Sequence, residues 1–309
     1  MSSIRDRQSG FVAEGAKSAL RPVQKTTIHS RSAQIRGWLI SLAKHLVLVF
    51  FGLFFALPLF WMLSTAFKTD PEVLTYPPKW IPNKLMWSNF PEAFVFVPFA
   101  AYLRNSAIVS TLSVFGTLLS CTLPAYAFAR LQWRGRDPLF ILVLSTIMLP
   151  YQVTMIPLYV IFNKIGWVNT LRPLIIPAFL GNPFFIFLLR QFFSGIPKDL
   201  SDSARIDGCT ELRILGAIIL PLARPALMVV ALFQFLNSWN AFLGPLIYLN
   251  EERLFTVSLG LALMRSAYGL SRFSLIMAAT SLFVIPVIIL FFFAQRTFIQ
   301  GITFTGIKG

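Results

Sequence analysis

Charged residues are scarce in this chain, and acidic residues are the scarcest. Of 309 residues, 13% are charged, with 12 Asp or Glu against 27 Lys or Arg. An average soluble domain is about 25% charged, whereas here 56% of the residues are hydrophobic and the mean hydropathy is +0.70. These figures exclude an ordinary soluble domain and indicate that most of the chain lies in lipid.

The residue patterns of common catalytic and cofactor sites are also missing. The 2 cysteines, Cys121 in an apolar run and Cys209 in a polar loop, form no CxxC pair and no disulfide framework. The 2 histidines, His29 and His45, lie in or beside the N-terminal segment, with no HExxH motif and no acid placed to complete a triad. There is no GxxxxGK followed by Ser or Thr. We therefore expect no enzyme, no metal site and no bound cofactor, and any ATP would be used by another polypeptide.

Six apolar stretches are long enough to cross a bilayer. A hydrocarbon core of about 30 Å needs about 20 mostly apolar residues in a helix, because lipid offers no partner for an unpaired backbone group. The fold class predicted is therefore all-α and polytopic. The predicted spans are residues 46–67, 105–129, 139–162, 173–193, 226–249 and 274–294.

The basic residues predict which side each connection occupies. An even number of spans puts both termini on one side, and short cytoplasmic loops carry an excess of Lys and Arg. Of the 27 basic residues, 18 fall on the side of the termini and 9 on the other. We predict that both termini are cytoplasmic and interpret the formal charge of +15 as an orientation signal. No nucleic-acid partner is expected.

The first 37 residues are rich in Ser, Arg and Gln and contain 2 acids, Asp6 and Glu14. They contain no apolar stretch long enough to pack, so we predict a disordered basic cytoplasmic tail. An organelle transit peptide is the alternative. The apolar core of the first span is too long for a cleavable signal peptide, and we interpret it as an uncleaved signal anchor.

All 12 acidic residues lie outside the six predicted spans. Ion-coupled carriers commonly keep an Asp or Glu near the midplane, because an intramembrane charge is too costly to retain without a use. The absence of Asp and Glu from the predicted spans argues against a proton-driven carrier. Unwound helices can bind Na⁺ through carbonyls and helix dipoles, so an ion-coupled secondary carrier for a small solute stays open as the alternative function.

Proline is frequent in the predicted spans. Each proline removes a helical hydrogen bond and bends its helix, and bent helices can enclose a path. For any single proline, a local adjustment of helix packing is the alternative interpretation. The eight are Pro58, Pro124, Pro150, Pro157, Pro177, Pro183, Pro245 and Pro286.

The few polar side chains of the spans are concentrated near these prolines and in the fifth span. At the i, i+3, i+4 spacing, Gln234, Asn237 and Ser238 point to one helical face. An aromatic ring among amides suits a sugar, whereas polar contacts between helices are the equally weighted alternative. The candidate substrate path consists of Gln152, Asn182, Gln234, Asn237, Trp239 and Asn240.

The connection over residues 194–224 is too long for a simple turn. Ser201 is a predicted N-cap and Gly208 a predicted residue just past a helix end, which bounds a short helix over 202–207. A second helix is predicted from after Thr210 to Pro221. The result would be an exposed short helix suited to a partner's groove, with an ordinary solvated connection as the alternative.

This loop carries a family motif of the form EAAxxDGA followed by LPxxxP. The matching residues are Asp202, Ser203, Ala204, Asp207, Gly208 and Cys209, then Leu220, Pro221 and Pro225. Other matching segments are SNFPEAF (88–94), RNS (104–106), PAYAFARLQWRG (124–135), LPYQVTMIPLY (149–159), FLLRQFFSGIP (187–197) and QRTFIQGITFTGIKG (295–309).

With these residues the chain resembles the permease subunits of ABC importers, in the carbohydrate-uptake branch typified by the second permease of maltose and glycerol-3-phosphate systems. The resemblance covers residues from about 61 to 309 and implies the MetI-like, type I importer fold in an inner membrane. Asp202 stands where the family usually has Glu, and Ser203 where it has Ala. Ala241 replaces a common acid or amide, which weakens any inference about substrate there.

The resemblance also implies a mechanism, in which a cytoplasmic ATPase moves the loop helix and the bundle alternates its access. The implied partners are a second permease, two ATP-binding subunits that use ATP and Mg, an extracytoplasmic solute-binding protein and a sugar-like substrate. The implied coupling residues are Asp202, Ser203, Ala204, Arg205, Asp207 and Gly208. The C-terminal tail, which in maltose-type systems reaches the ATPases, contributes Gly301, Thr303, Gly306, Lys308 and Gly309.

Overall fold

The computed structural model describes the backbone of residues 31–304, with side chains for residues 37–269 and 271–295. The described residues are helical with no β-strand among them. The helices are α1 Arg31–Ala66, α2 Asp70–Val73, α3 Asn89–Phe96, α4 Phe99–Arg130, α5 Arg136–Ser145, α6 Tyr151–Lys164, α7 Arg172–Ile175, α8 Pro183–Gly195, α9 Lys198–Ile206, α10 Glu211–Ile214, α11 Leu220–Leu222, α12 Arg224–Trp239, α13 Leu243–Tyr248, α14 Val257–Tyr268 and α15 Phe273–Phe304.

Short 3₁₀ and π segments join several of these helices. The 3₁₀ turns are Thr146–Met148, Ile176–Leu180, Glu252–Leu254 and Gly269–Arg272, and the π segment is Leu215–Ile219. The chain divides into a unit that ends at Leu57 and a unit that begins at Pro58. In the first unit, α1 exposes phenylalanines whose rings pair along the helix, such as Phe51 with Phe55 at 6.3 Å between centroids. Such a surface suits lipid.

Four helical segments are long and apolar enough to cross a membrane: Gly37–Ala66, Phe99–Arg130, Arg172–Gly195 and Phe273–Gln295. Two further pairs of helices pass the same test only together. They are Arg136–Met148 with Tyr151–Lys164, bent by 94°, and Glu211–Leu222 with Arg224–Trp239, bent by 80°. The described residues therefore agree with the predicted six spans if each bent pair crosses once.

Proline accounts for both bends. Pro150 separates the first pair, has extended backbone (ψ 139°) and cannot donate a hydrogen bond to the preceding turn. In the second pair, Pro221 in α11 precedes the break at Ala223, and Pro225 lies in the first turn of α12, which follows it. Proline is tolerated there because the first amides of a helix have no internal partner. The predicted span at 139–162 is thus not a single straight helix, and the second bend lies just before the predicted span at 226–249.

Several helices have bounds that differ from those of the predicted spans. Helix α1 begins at Arg31, well before the predicted residue 46 and inside the tail predicted to be disordered; residues 1–30 lie outside the described part. The fifth span was predicted to run to residue 249, but α12 ends at Trp239 and α13 starts at Leu243. At this end both the backbone amide and the side-chain amide of Asn240 donate to the Leu236 carbonyl, at 3.1 and 3.0 Å.

Helix α4 is the central element of the second unit. It packs against α8 and α12, and its buried face consists largely of small residues: Ser106, Ser110, Ser113, Gly116 and Thr117. Small side chains let helix backbones approach closely, which is how helices gain packing energy in lipid. Two buried apolar clusters lie on this helix. One contains Tyr126 and Phe128, and the other contains Phe99 and Tyr102.

Hydrogen bonds attach residues 252–257 to the N-terminal end of α4, near Tyr102. The Asn105 amide donates to the carbonyls of Arg253 and Phe255 at 2.8 and 3.1 Å, and the Ser106 hydroxyl accepts from the Val257 amide at 2.9 Å. Tyr102 donates its hydroxyl proton to Glu252 at 2.8 Å. These bonds give Asn105 and Ser106 of the RNS segment a structural role.

Replacement of Gly260 by Ala is expected to destabilise this end of the bundle by about 1–3 kcal/mol. A Cβ atom at Gly260 would lie 2.4 Å from two ring carbons of Tyr102, a buried side chain that Glu252 holds in place. Thermal unfolding of the purified chain in detergent measures the effect. Gly216→Ala is the matched control because its Cβ would meet no atom within 4 Å; equal melting temperatures for the two variants would contradict the expected clash.

Candidate functional site

The loop predicted to meet a partner contains a helix that starts earlier than expected. Helix α9 runs from Lys198 to Ile206, with Pro197 at its N-cap. Ser201 is therefore not the N-cap that the sequence predicted; it lies in the second turn and is 1% exposed. The prediction failed because Ser is a common cap, whereas Pro197 begins the helix by fixing its backbone angle.

The C-terminal end of α9 agrees with the prediction. Gly208 has φ +79°, the left-handed conformation that favours glycine. The Cys209 amide donates to the Ala204 carbonyl at 2.9 Å, and the Gly208 amide donates to the Arg205 carbonyl at 3.0 Å. This pair of bonds is a Schellman motif, which satisfies carbonyls left free by the helix end. Gly208 thus ends α9 sharply and turns the chain towards α10.

The two faces of α9 differ in what they contact. Ser201 and Ala204 are buried, and Ala204 belongs to the same apolar cluster as Tyr126 and Phe128 of α4. The opposite face and the following turn expose large apolar side chains, with Ile206 87% and Leu212 73% exposed. An exposed apolar patch with a polar rim marks many protein-docking surfaces. We call α9 with residues 207–212 the loop surface.

A charged network orders the loop surface. The Arg205 guanidinium contacts the Asp202 carboxylate at 2.6 Å and the Glu211 carboxylate at 2.7 Å. The hydrogen bond to Glu211 raises the pKa of Arg205, so the side chain stays cationic at any physiological pH. Tyr126 donates its hydroxyl proton to the other oxygen of Glu211 at 2.5 Å. Five of the six predicted coupling residues, all except Ala204, are exposed on this surface.

Sequence reasoning did not single out Tyr126 or Glu211. Tyr126 lies within the PAYAFARLQWRG segment, which carried the family resemblance but gave no partner for the hydroxyl. The two residues are 85 positions apart in the chain, so no local periodicity connects them. Only the packing of α4 against the loop brings them together.

The amide cluster of the fifth span is partly engaged within the chain. Gln234 donates to the Ser238 hydroxyl at 2.9 Å, which confirms that the two share a helical face. Trp239 is 3% exposed, its ring stacks on Phe235 and Phe283, and its indole N–H donates to the Phe283 carbonyl at 3.1 Å. In this conformation Trp239 packs α12 against α15 and offers no open ring face to a solute.

The remaining residues of the candidate substrate path are exposed. Gln152 and Asn237 are exposed on α6 and α12, and Asn240 bonds to the Leu236 carbonyl. Asn182 is the N-cap of α8, where its side-chain oxygen accepts from the Phe184 and Phe185 amides at 3.0 and 3.4 Å. The structure therefore assigns Asn182 a local structural role, and a role in the path stays a prediction.

Asn182→Ala is expected to lower stability by about 1 kcal/mol, because it leaves two amides at the start of α8 without their acceptor. Asn182→Ser keeps an acceptor and should restore the melting temperature. Thermal unfolding and uptake are measured for both variants. A change of solute preference in Asn182→Ser at unchanged stability would instead place the side chain in the substrate path.

The predicted C-terminal coupling tail is only partly described. Gly301 and Thr303 lie on the last turns of α15, while Gly306, Lys308 and Gly309 lie outside the described residues. Over the described residues, no group of three or more His, Cys, Asp or Glu side chains could hold a metal ion.

Comparison with known proteins identifies the class. Residues 122–304 match the family described as binding-protein-dependent transport system inner membrane component. The arabinooligosaccharides transport system permease protein AraQ of Halalkalibacterium halodurans is 35% identical over 90% of this chain and 99% of its own length. The diacetylchitobiose uptake system permease protein DasC of Streptomyces coelicolor is 34% identical over 85% and 95%. The trehalose/maltose transport system permease protein MalG of Thermococcus litoralis is 34% identical over 82% and 91%.

The chain therefore belongs to the family of binding-protein-dependent transport system inner membrane components, as its resemblance predicted. It is a multi-pass inner-membrane permease subunit, and family membership does not favour the alternative of an ion-coupled carrier. A chain of a bacterial ABC transporter that imports the acidic polysaccharide alginate has a similar fold. It superposes with a TM-score of 0.72 at 24% identity and covers 88% of this chain and 99% of its own.

Proposed function

We propose that this chain is the membrane-spanning subunit of an ATP-driven importer that carries a carbohydrate into the cytoplasm. The loop surface is the observation that supports this most directly. Helix α9 exposes Ile206, Asp202 and Asp207 while Ala204 on its other face packs into the membrane bundle. Such a helix can seat in another protein and pass movement to the spans.

The proposed partner at the loop surface is one of two ATP-binding subunits. Ile206 would fill an apolar pocket in the docked interface, because an aliphatic side chain buried in a pocket can anchor a protein interface. A separate polypeptide is proposed as the motor, in agreement with the lack of a P-loop motif in this sequence. ATP and Mg would be bound and used there, and this chain would need no cofactor of its own.

Carbohydrate is the proposed substrate class because the relatives are named for it. Their names specify arabinooligosaccharides, diacetylchitobiose, and trehalose or maltose. This chain aligns with 91% or more of the length of each. A sugar or short oligosaccharide that differs from all three would fit the proposal equally well.

Two further partners and an orientation complete the proposal. A solute-binding protein outside the membrane agrees with the family description, and a second, related permease would complete the passage between two bundles. The distribution of basic residues supports cytoplasmic termini, with the loop surface on the same side. The loops tied to Asn105 and Ser106 would then face outwards.

Reconstitution tests the proposed function. The chain is co-expressed with the permease, ATPase and binding protein encoded beside it, and the purified complex is placed in proteoliposomes. We expect uptake of a labelled oligosaccharide only when both ATP and the binding protein are present. Uptake by this chain alone, driven by an ion gradient without ATP, would overturn the proposal.

A further inference from the structure

Two side chains near the C-terminal end of α4 point to one face of that helix. Tyr126 and Arg130 are four residues apart, which places them one turn apart on the same side. Both are buried, at 4% and 8% exposure. Each makes a hydrogen bond to a residue outside α4, and these two residues lie on opposite sides of α9 in the chain.

Arg130 holds the segment that enters α9. Its guanidinium donates from Nη2 to the Ile196 carbonyl at 2.8 Å. Ile196 is the C-cap of α8, and α9 begins at Lys198. Carbonyls at a helix C-terminus lack internal partners and favour a cation, so the guanidinium satisfies the end of α8.

Tyr126 holds the segment that leaves α9. Its hydroxyl donates to Oε2 of Glu211, the first residue of α10, at 2.5 Å. Glu211 in turn accepts from Arg205 of α9 through Oε1 at 2.7 Å. The hydroxyl, the carboxylate and the guanidinium thus form one continuous chain of hydrogen bonds from α4 to α9.

We propose that Tyr126 is a positioning residue for coupling: with Arg130, it fixes both flanks of α9 to α4, so that α9 and α4 move as one body. The inference rests on the proposed function, because it assigns to α4 the movement that an ATPase would impose on the loop surface. One hydrogen bond would hold only one flank of α9 against α4. Hydrogen bonds before and after α9 hold both flanks, so the helix cannot rotate about either one.

The position of α4 gives this attachment a consequence for the whole bundle. The helix continues for 32 residues, which at about 1.5 Å per residue is long enough to cross the bilayer. At its other end Asn105 holds the carbonyls of Arg253 and Phe255. A displacement of α9 would therefore reach the loops on the opposite side through one continuous helix, which contains Pro124.

Tyr126→Phe tests the proposal, because it removes only the hydroxyl and leaves the Glu211–Arg205 ion pair in place. Thr122→Val is the matched control: it removes a buried hydroxyl from the same helix, where the acceptor is the Leu118 carbonyl of α4 itself and no other element is attached. The reconstituted importer, with its permease, ATPase and binding protein, is assayed for oligosaccharide uptake and for ATP hydrolysis. Thermal unfolding of each purified complex is measured in parallel.

We expect Tyr126→Phe to lower the ratio of solute imported to ATP hydrolysed by about tenfold, in line with the loss of a buried hydrogen bond to a charged group. Thr122→Val should keep the wild-type ratio, because the hydroxyl it removes bonds within α4. An unchanged ratio in Tyr126→Phe, or an equal fall in both variants, would overturn the positioning role. A wild-type complex without ATP-dependent uptake would overturn the proposed function itself, and the inference with it.

Discussion

Uptake is expected to fall at least tenfold when Gly208 is replaced by Val, while the chain still folds and inserts. Gly208 has φ +79°, and a Cβ there would meet no atom within 4 Å. The effect is therefore conformational and not steric crowding by neighbours. A left-handed backbone costs an ordinary L-residue about 1–2 kcal/mol, and a β-branched residue more. The Schellman bonds of Gly208 and Cys209 would open and α9 would lose its fixed end.

Gly208→Asn is the matched control for this prediction. Asn adopts left-handed backbone more readily than other non-glycine residues and is an accepted alternative at this position of a helix end. Uptake of a labelled oligosaccharide by whole cells and the amount of chain in the membrane are measured for both variants. Wild-type uptake by Gly208→Val would show that the end of α9 has no part in coupling.

Replacement of Ile206 by Asp is expected to separate the chain from its ATPase partner. Ile206 is 87% exposed, so the substitution leaves the packing of the chain itself unchanged. Burial of an unpaired carboxylate in the docked interface would be strongly unfavourable. Loss of a central apolar anchor commonly costs 2 kcal/mol or more, which is about a thirtyfold loss of affinity.

Co-purification of the ATPase with the tagged chain measures this effect, with uptake as a second readout. Ile206→Met keeps an apolar side chain of similar volume and is the matched control. We expect Ile206→Asp to lose both the ATPase and uptake, and Ile206→Met to keep both. Retention of the ATPase by Ile206→Asp would mean that the loop surface is not the docking site.

The two variants separate local shape from surface chemistry. Gly208→Val changes the backbone at the end of α9 but leaves its exposed side chains in place, whereas Ile206→Asp does the opposite. If the ATPase still co-purifies with Gly208→Val while uptake is lost, docking and transmission are distinct steps. In that case the hydrogen bonds of Tyr126 and Arg130 to the flanks of α9 would be the expected route of transmission.

The sequence correctly predicted features that depend on neighbouring residues. Long apolar runs predicted helices in lipid, and the described residues form them. Gly208 predicted the end of α9 because only a few residues near it determine that geometry. Prolines 150, 221 and 225 mark the two bends, since a missing amide proton acts within one turn of its own position.

Prediction was weaker where two local signals compete. Ser201 and Pro197 can each start a helix, and the structure uses Pro197 because Ser201 is drawn into the buried side of α9. In the fifth span, hydrophobicity favoured continuation to residue 249. Helix α12 instead ends at Trp239, where the Asn240 side chain also bonds to the Leu236 carbonyl.

The sequence by itself therefore determined the class of the chain: a helical membrane protein with a punctuated, family-specific loop. The tertiary structure decided which partners its polar groups take. Helical periodicity predicts on which face of α12 the Trp239 side chain lies. It does not predict that this side chain stacks on Phe283 of α15. Tyr126 reaches Glu211 across 85 residues. Contacts at such separations follow from how helices pack, because no local pattern in the chain encodes the distance between two helices.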